Sequence, residues 1–507
     1  MSKTQQQFDY DVAIIGGGSA GYAAAGTATR ADLKTVVIEG GEEVGGLCIL
    51  RGCMPTKALL YAAEVMHLAN HADTWGVRAG KTGFDFSKLM ARKNALVKEF
   101  ADYRRSQLRS GKFKFIRANA GFIDPQTLEL IWEPRRLVGE LQTNSSNRLA
   151  GRQRSRAFPT TLTARHFIIT TGSTVTPPPL PQLRKVAYLT SDDALKFKRL
   201  PKSLIVLGGG AVAVEFAQFF VRFGVKVTLI QRSEHILREF DSDAATVIEE
   251  VFRREGVELF TDTTLINARC RGAMKSVHFL HRGKTVSRSA DDILFALGRV
   301  PNTASLGLDK AGVVTERGRI VANEFMQTSA PHVFAAGDCT GPHEIVHLAV
   351  QQGEIAAHNI AHPSTRRRMD YRLLVLVIFT DPQAATVGLT EKEANARKIP
   401  YLAASYPFND HGKSLIMEAR DGFVKLLADP KSGEILGAAC VGPLGGELIH
   451  EIVAAMTKRM TVHELAAMPH YHPTLAEIWT YPAEDLAGQV SLGSLRGGRK
   501  KLPPGVR

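Results

Sequence analysis

The chain has 507 residues, 44% of them apolar and 22% charged, with 45 glycines and 23 prolines. This is an ordinary globular balance that excludes global disorder or a collagen-like fibre and, at roughly 150 residues per domain, predicts three or four domains. Basic residues exceed acidic ones by 64 to 50, a net charge of +14, but the excess is clustered (Arg135–Arg136, Arg148 to Arg156, Arg366 to Arg368, Arg496 to Lys501) with no interleaved aromatics. Those clusters read as solvated loops and a tail rather than a nucleic-acid surface.

No apolar run approaches about eighteen residues, so no transmembrane helix is predicted. The polar segment Met1 to Phe8 leads straight into a strand, leaving no room for a signal or transit peptide. A cytoplasmic protein with neither nucleic-acid nor membrane partner is expected.

The first strand, Tyr10 to Ile15, runs into Gly16-Gly17-Gly18-Ser19-Ala20-Gly21, then an alanine-rich helix and a second strand, Thr35 to Ile38, ending at Glu39. This is a dinucleotide-binding fingerprint in full context. Gly16 permits the tight turn, Gly18 lets backbone approach a pyrophosphate, and Gly21 lets helix and strand pack closely. The helix N-terminus favours phosphate, and Glu39 stands where a carboxylate binds ribose hydroxyls.

Next comes Gly45-Gly46-Leu47-Cys48-Ile49-Leu50-Arg51-Gly52-Cys53-Met54-Pro55-Thr56-Lys57. Two cysteines five apart, the second near a helix start, are redox-active, metal-binding or structural. Pro55 suits an early helical position. A helix N-terminus and Lys57 both favour a thiolate. No second Cys/His pair at ligand spacing accompanies them, so no metal site is expected. The five cysteines form no regular framework of the kind secreted scaffolds use.

Residues 134–158 are polar and arginine- and serine-rich and read as a surface insertion. The fingerprint then recurs: Leu204 to Leu207 leads into Gly208-Gly209-Gly210-Ala211-Val212-Ala213, a helix and the strand Val225 to Ile230. Ala213 replaces the third glycine, where only a small side chain is needed. Two such units imply two dinucleotides, which suggests a flavin exchanging electrons with a nicotinamide. The second unit has no acid at its strand end; Gln231-Arg232-Ser233 stands there, with Arg238 beyond. Arginine pairs with a 2′-phosphate that a carboxylate would repel, so NADPH is favoured over NADH. From Arg372 to Glu484 strands such as Phe423 to Leu427 and a helix at Glu447 to Thr457 predict a separate α+β unit.

With these motifs the chain resembles the class I pyridine nucleotide–disulfide oxidoreductases, the family of lipoamide dehydrogenase, glutathione reductase and mercuric reductase. The resemblance runs from about residue 9 to 485. It includes Thr170-Thr171-Gly172-Ser173, Ala296-Leu297-Gly298-Arg299-Val300-Pro301-Asn302, Phe334-Ala335-Ala336-Gly337-Asp338, Phe379-Thr380-Asp381-Pro382 and His470-Tyr471-His472-Pro473-Thr474-Leu475-Ala476-Glu477.

The resemblance implies an α/β fold with two Rossmann-like domains and a C-terminal α+β dimerisation domain. The divisions expected are an FAD-binding domain in two parts (1–185 and 297–370), a nicotinamide domain (186–296), an interface domain (371–487) and a basic tail (488–507). It implies that Gly16, Gly18, Gly21, Glu39, Lys57, Gly172 and Asp338 bind FAD, and that Gly208, Gly210, Ala213, Arg232, Arg238 and Gly298 bind the nicotinamide dinucleotide. Cys53 would form the thiolate against the flavin and Cys48 the interchange thiol. Lys57 would pair with Glu215, and His472, oriented by Glu477, would serve as acid–base for Cys48 of the other subunit of a homodimer.

Some family features differ. No cysteine follows Cys440 and His472 is present, unlike in mercuric reductases; thioredoxin reductases also need a C-terminal redox pair. Lipoamide dehydrogenases keep an acid where Gln231 stands. Ala211 stands where glutathione-reductase-like enzymes place an aromatic, which would leave the nicotinamide pocket more open. The resemblance therefore implies an NAD(P)H-linked disulfide or dithiol oxidoreductase. The alternatives are an NAD-linked dihydrolipoyl dehydrogenase, a flavin reductase of quinones or metal ions, and a non-enzymatic flavoprotein scaffold.

Overall fold

A computed structural model describes residues 7–131 and 160–490, which form two compact units. The 134–158 insertion and the tail from 491 onward lie outside the described residues.

The described residues of the first unit are 7–52, 96–131, 160–175 and 299–369. Its strand β1 (Tyr10–Ile15) is followed by helix α1 (Ser19–Arg30) and strand β2 (Thr35–Ile38). β1 lies parallel between β2 and the strand Thr161–Ile169, in register from Val12 opposite Thr35 to Ile15 opposite Ile38. Val12, Ala13 and Ile14 are fully buried, as expected of a central parallel strand covered on both faces. Lys114–Ile116 extends the sheet beyond β2, and Val333–Ala335 pairs with Thr161–Ile169 in parallel. Below the sheet Ala13, Val36, Ile38, Phe122 and Phe167 share one core, the two phenylalanine rings meeting edge to face at 4.9 Å. α1 packs through Ala20 beside Ala336 and Ala349, small residues that let the helix come close.

The short helix α2 (Leu47–Arg51) closes this stretch of chain. Gly46, just before it, has φ +80°, and a Cβ there would come within 2.8 Å of the Gly18 Cα. The backbone entering α2 thus lies directly against the first glycine loop.

The described residues of the second unit are 53–95, 176–298 and 370–490. It opens with helix α3 (Cys53–Asn70). A parallel sheet follows in the order Glu258–Phe260, Lys226–Ile230, Ser203–Leu207, Asp292–Phe295. The helix Ala211–Arg222 shares a core with α3, Phe216 and Phe220 packing in the same cluster as Leu59 and Ala63. The C-terminal part is a five-stranded antiparallel sheet, Val375–Ile378, Gln383–Gly388, Ile435–Gly442, Phe423–Ala428, Leu402–Pro407, with helices Gly445–Thr457 and Thr480–Gln489. Trp479 is fully buried there and donates its indole N–H to the Leu448 carbonyl at 3.2 Å. Two glycine-loop sheets, the first parallel at its centre with the antiparallel strands Thr127–Ile131 and Asn119–Asp124 at one edge, and a C-terminal α+β part are the fold class expected from the sequence. Among the described residues no helix is long and apolar enough to cross a membrane.

Candidate functional site

The two glycine loops share one backbone solution. Gly16 and Gly208 have φ of +111° and +115°, and a Cβ on either would sit 2.3 Å from a carbonyl oxygen, that of Thr170 or Ala296. Only glycine fits such a place. Glu39, at the tip of β2, accepts N–H groups from Gly17 at 2.8 Å and Gly41 at 2.7 Å. Its carboxylate is thereby held at the strand end, beside the α1 N-terminus.

Gly18 leaves its outer face open: a Cβ added there would find its nearest neighbour, the Gly46 Cα, 3.9 Å away, and around Gly210 nothing lies within 4 Å. Such bare backbone at two helix N-termini fits pyrophosphates, and the first loop with its anchored carboxylate fits the adenosine end of FAD. Gly172 and Gly298 also carry positive φ, +69° and +112°.

Asp338 begins a short turn after Gly337 and accepts a hydrogen bond from Ser173 Oγ at 2.7 Å; Arg299 Nε donates to the same Ser173 oxygen at 2.8 Å. Three family motifs separated widely in the chain are tied together through one hydroxyl. Burial, reinforced by the Asp338 charge, raises the pKa of nearby Glu344.

Cys48 is the second residue of α2, and Cys53 is the first of α3. Cys53 therefore sits at the positive end of an eighteen-residue helix whose first turn holds no acid, a setting that favours a sulfur anion. One turn on, Lys57 Nζ lies 2.9 Å from both oxygens of Glu215, which is 3% exposed. The same carboxylate accepts the Phe379 N–H at 3.1 Å, and the ammonium lies 4.5 Å from the Phe379 ring centre. The other three cysteines differ in setting. Burial pushes the Cys339 thiol up to about 12 and the Cys440 thiol higher still, while Cys270 is exposed.

In the C-terminal part, His472 Nδ1 lies 2.9 and 3.1 Å from the two Glu477 oxygens. The carboxylate accepts the Nδ1 proton, which leaves Nε2 as the basic nitrogen. The His472 side chain is 76% exposed and Glu477 11%, so the imidazole projects outward from a buried anchor. Two residues away, His470 has both ring nitrogens engaged, by Met468 O at 3.1 Å and Glu451 at 2.6 Å.

At the second loop, Gln231 lies under Gly209 and donates to the His235 carbonyl at 3.4 Å. Arg232 is exposed at the strand end; Arg238 is exposed and pairs with Glu239 at 3.0 Å. Ser233, His235 and Arg238 line one hollow.

Three features have no signal in the sequence. His411 is fully buried beside Glu477. The Ser173 hydroxyl bridges Arg299 and Asp338; both flanking motifs are recognisable, but nothing in them announces the bridge. Arg104 stacks on Tyr22 at 4.1 Å with its Nε and Nη1 buried and without hydrogen bonds. Burial lowers its pKa, opposed by the nearby Tyr22 and Cys48. Among the described residues no group of three or more His, Cys, Asp or Glu is arranged to hold a metal ion.

Comparison with known proteins agrees with this picture. Residues 10–353 match the family of the pyridine nucleotide-disulphide oxidoreductases and residues 375–483 that of their dimerisation domain. A dihydrolipoyl dehydrogenase of Bacillus subtilis is 34% identical, the match covering 92% of this chain and 96% of that one. A mercuric reductase of Bacillus cereus is also 34% identical, over 93% of this chain and 70% of its own length. Among solved structures, LpdA from Mycobacterium tuberculosis superposes with a TM-score of 0.80 at 27% identity, covering 94% of this chain and 99% of its own. The HOCl-induced flavoprotein disulfide reductase RclA from Escherichia coli, as its Cu(II) complex, gives 0.78 at 26% identity with the same coverage.

Proposed function

The chain belongs to the class I pyridine nucleotide–disulfide oxidoreductases, FAD-containing enzymes that act on sulfur groups, and from this premise we propose that it passes electrons from NADPH through the Cys48–Cys53 pair to a small disulfide. The observation that carries the reading is the first turn of α3, where Cys53 opens the helix and Lys57 is held by the buried Glu215. Bound FAD supplies two-electron exchange between the nicotinamide and the cysteine pair. Gly16, Gly18, Gly21 and Glu39 would hold its adenosine end, Gly172 and Asp338 its ribityl chain, and Lys57, paired with Glu215, would serve its redox end.

Cys48 attacks one sulfur of the substrate disulfide, forming a mixed disulfide and releasing the first thiol; Cys53 then attacks the Cys48 sulfur, re-forming the internal disulfide and releasing the second thiol. His472 takes the Cys48 proton on Nε2 and returns it to the departing thiol, while Glu477 holds the imidazole and balances its charge. The exposed His472 on its buried anchor suits an imidazole offered to a second subunit, so the active form is a homodimer. The domain division proposed is FAD-binding for 1–185 and 297–370, nicotinamide-binding for 186–296 and interface for 371–487, in a cytoplasmic enzyme.

The NADPH preference is supported by Arg232 and Arg238 beside a strand end that carries Gln231 and no acid. A second reading, a dihydrolipoyl dehydrogenase using NAD, is favoured by the relatives that carry that name and by the Glu239 carboxylate already engaging Arg238.

Anaerobic rapid mixing of the yellow protein with NADPH or NADH separates the two. Faster flavin bleaching by NADPH, followed by long-wavelength thiolate absorbance, supports the main reading. Faster reduction by NADH moves lipoamide chemistry to the front. Bleaching without that absorbance under either nucleotide removes the cysteines from the circuit.

A further inference from the structure

Glu477 has histidines on two sides. His472 takes one, as described; His411, in the turn between Phe408–Asp410 and the short helix Gly412–Ile416, takes the other. His411 is wholly buried, and its Nε2 lies 3.4 Å from Glu477 Oε1. That separation is beyond a formed N–H···O bond, so Nε2 faces the carboxylate without a hydrogen-bond partner. On the opposite side of the ring, Nδ1 lies 2.8 Å from Ser414 Oγ, itself fully buried.

The hydrogen-bond arithmetic selects a tautomer. A carboxylate can only accept, so the nitrogen facing Glu477 carries the hydrogen, and Nδ1 accepts from the Ser414 hydroxyl. The remaining surroundings are aromatic: Phe408 and Tyr481 present rings 6.4 and 6.3 Å away. The other titratable groups on the packed elements are Tyr406 and Asp410, whose side chains bond each other at 3.0 Å, together with Lys413, Glu484 and Asp485. Burial holds the His411 pKa below its ordinary value, with Glu477 opposing; His472, across Glu477, also disfavours a charge on His411. An uncharged imidazole with its Nε2 hydrogen aimed at the carboxylate is the consequence.

We propose that His411 is a positioning residue for the acid–base histidine: its Nε2–H, facing Glu477 Oε1 from 3.4 Å, attracts and holds the carboxylate that in turn orients His472. The inference rests on the reading of His472 as the Cys48 acid–base. Without the buried donor, Glu477 is free to turn toward solvent. The imidazolium formed on His472 then loses stabilisation, and Cys48 gives up its proton less readily. No proton moves to or from His411 itself.

The test uses the holoenzyme, reduced anaerobically with excess nicotinamide, and follows alkylation of Cys48 by iodoacetamide against pH. The expected result for His411→Leu is a rate at pH 7 lower by about three- to tenfold, the loss appropriate to one hydrogen bond, with the pH midpoint moved upward. His411→Asn, which keeps a neutral donor, recovers the rate to within about twofold. Ser414→Ala, which frees the tautomer, gives an intermediate loss and carries the test if His411→Leu does not fold.

An unchanged midpoint in folded His411→Leu overturns the proposal, and so does an equal loss in His411→Asn, which marks a packing position. His472→Gln is run in parallel. If it slows alkylation while His411→Leu does not, only the positioning role falls. If His472→Gln has no effect, the acid–base reading falls first.

Discussion

Lys57 and Glu215 are 158 positions apart in the chain, yet the lysine ammonium is 2.9 Å from each oxygen of the glutamate. Glu215 is buried and Lys57 about one-third exposed, so the pair costs less to assemble than one sealed from water. The glutamate also satisfies the Phe379 N–H. Removing it strands two donors. Glu215→Ala is expected to lower unfolding free energy by about 2–4 kcal/mol, less than for a fully buried pair because water reaches Lys57. Glu215→Gln is expected to cost less than half as much. Urea unfolding of both variants checks this.

Cys48→Ser and Cys53→Ser should divide the reaction. In each, turnover of a disulfide substrate should fall by at least about a hundredfold, since no second thiol replaces a nucleophile at this position. Flavin reduction by nicotinamide should persist. Long-wavelength absorbance should survive in reduced Cys48→Ser and vanish in Cys53→Ser. Absorbance surviving in Cys53→Ser instead would exchange the roles of the two cysteines.

The proposed NADPH preference rests on surface arginines, which would make it sensitive to salt and to substitution. Arg232→Ala with Arg238→Ala should raise KM for NADPH about tenfold, as expected for one charge-assisted hydrogen bond or more, and leave KM for NADH within about twofold. Equal changes for both nucleotides would show that the arginines do not read the 2′-phosphate.

Stability should fall in mild acid, with His411 contributing. Its folded pKa is lowered by burial from the ordinary 6.5, so the unfolded chain binds the proton more readily. The native state loses free energy relative to the unfolded one as pH falls below about 6.5, down to the folded pKa; above 6.5 the term vanishes. His67 and His166 shift the same way through burial. His411→Asn should flatten the loss between about pH 7 and 5, measured by urea midpoints at each pH. A slope identical to the parent's would show that His411 is not among the groups that titrate on unfolding.

The glycine loops and their strands are legible in the sequence because a hard steric constraint writes itself as a residue type. At Gly16 and Gly208 the turn excludes any Cβ, and the hydrophobic strands before them are buried on both faces. His472 and Glu477 are legible because they lie five positions apart in one motif. His411 is not. In Asn409-Asp410-His411-Gly412-Lys413 it reads as a polar turn, and its burial comes from Phe408, Tyr481 and Glu477, two of them distant in the chain. Ser173 reads as one more residue of a motif; its importance comes from Arg299 and Asp338, 126 and 165 positions away. Side-chain pairings across such separations leave no periodicity to read.

The unequal burial of the cysteines gives the native protein its own internal counting standard. Cys339 and Cys440 are sealed from reagent, and Cys270 is open to it. An oxidised native sample should take up one alkyl label per chain, a reduced native sample three, and a reduced denatured sample five, the full complement of cysteines. Mass spectrometry of intact protein would then report the electron inventory of the Cys48–Cys53 pair in steps of two, with Cys270 certifying that labelling went to completion and the two sealed thiols certifying that the fold survived it.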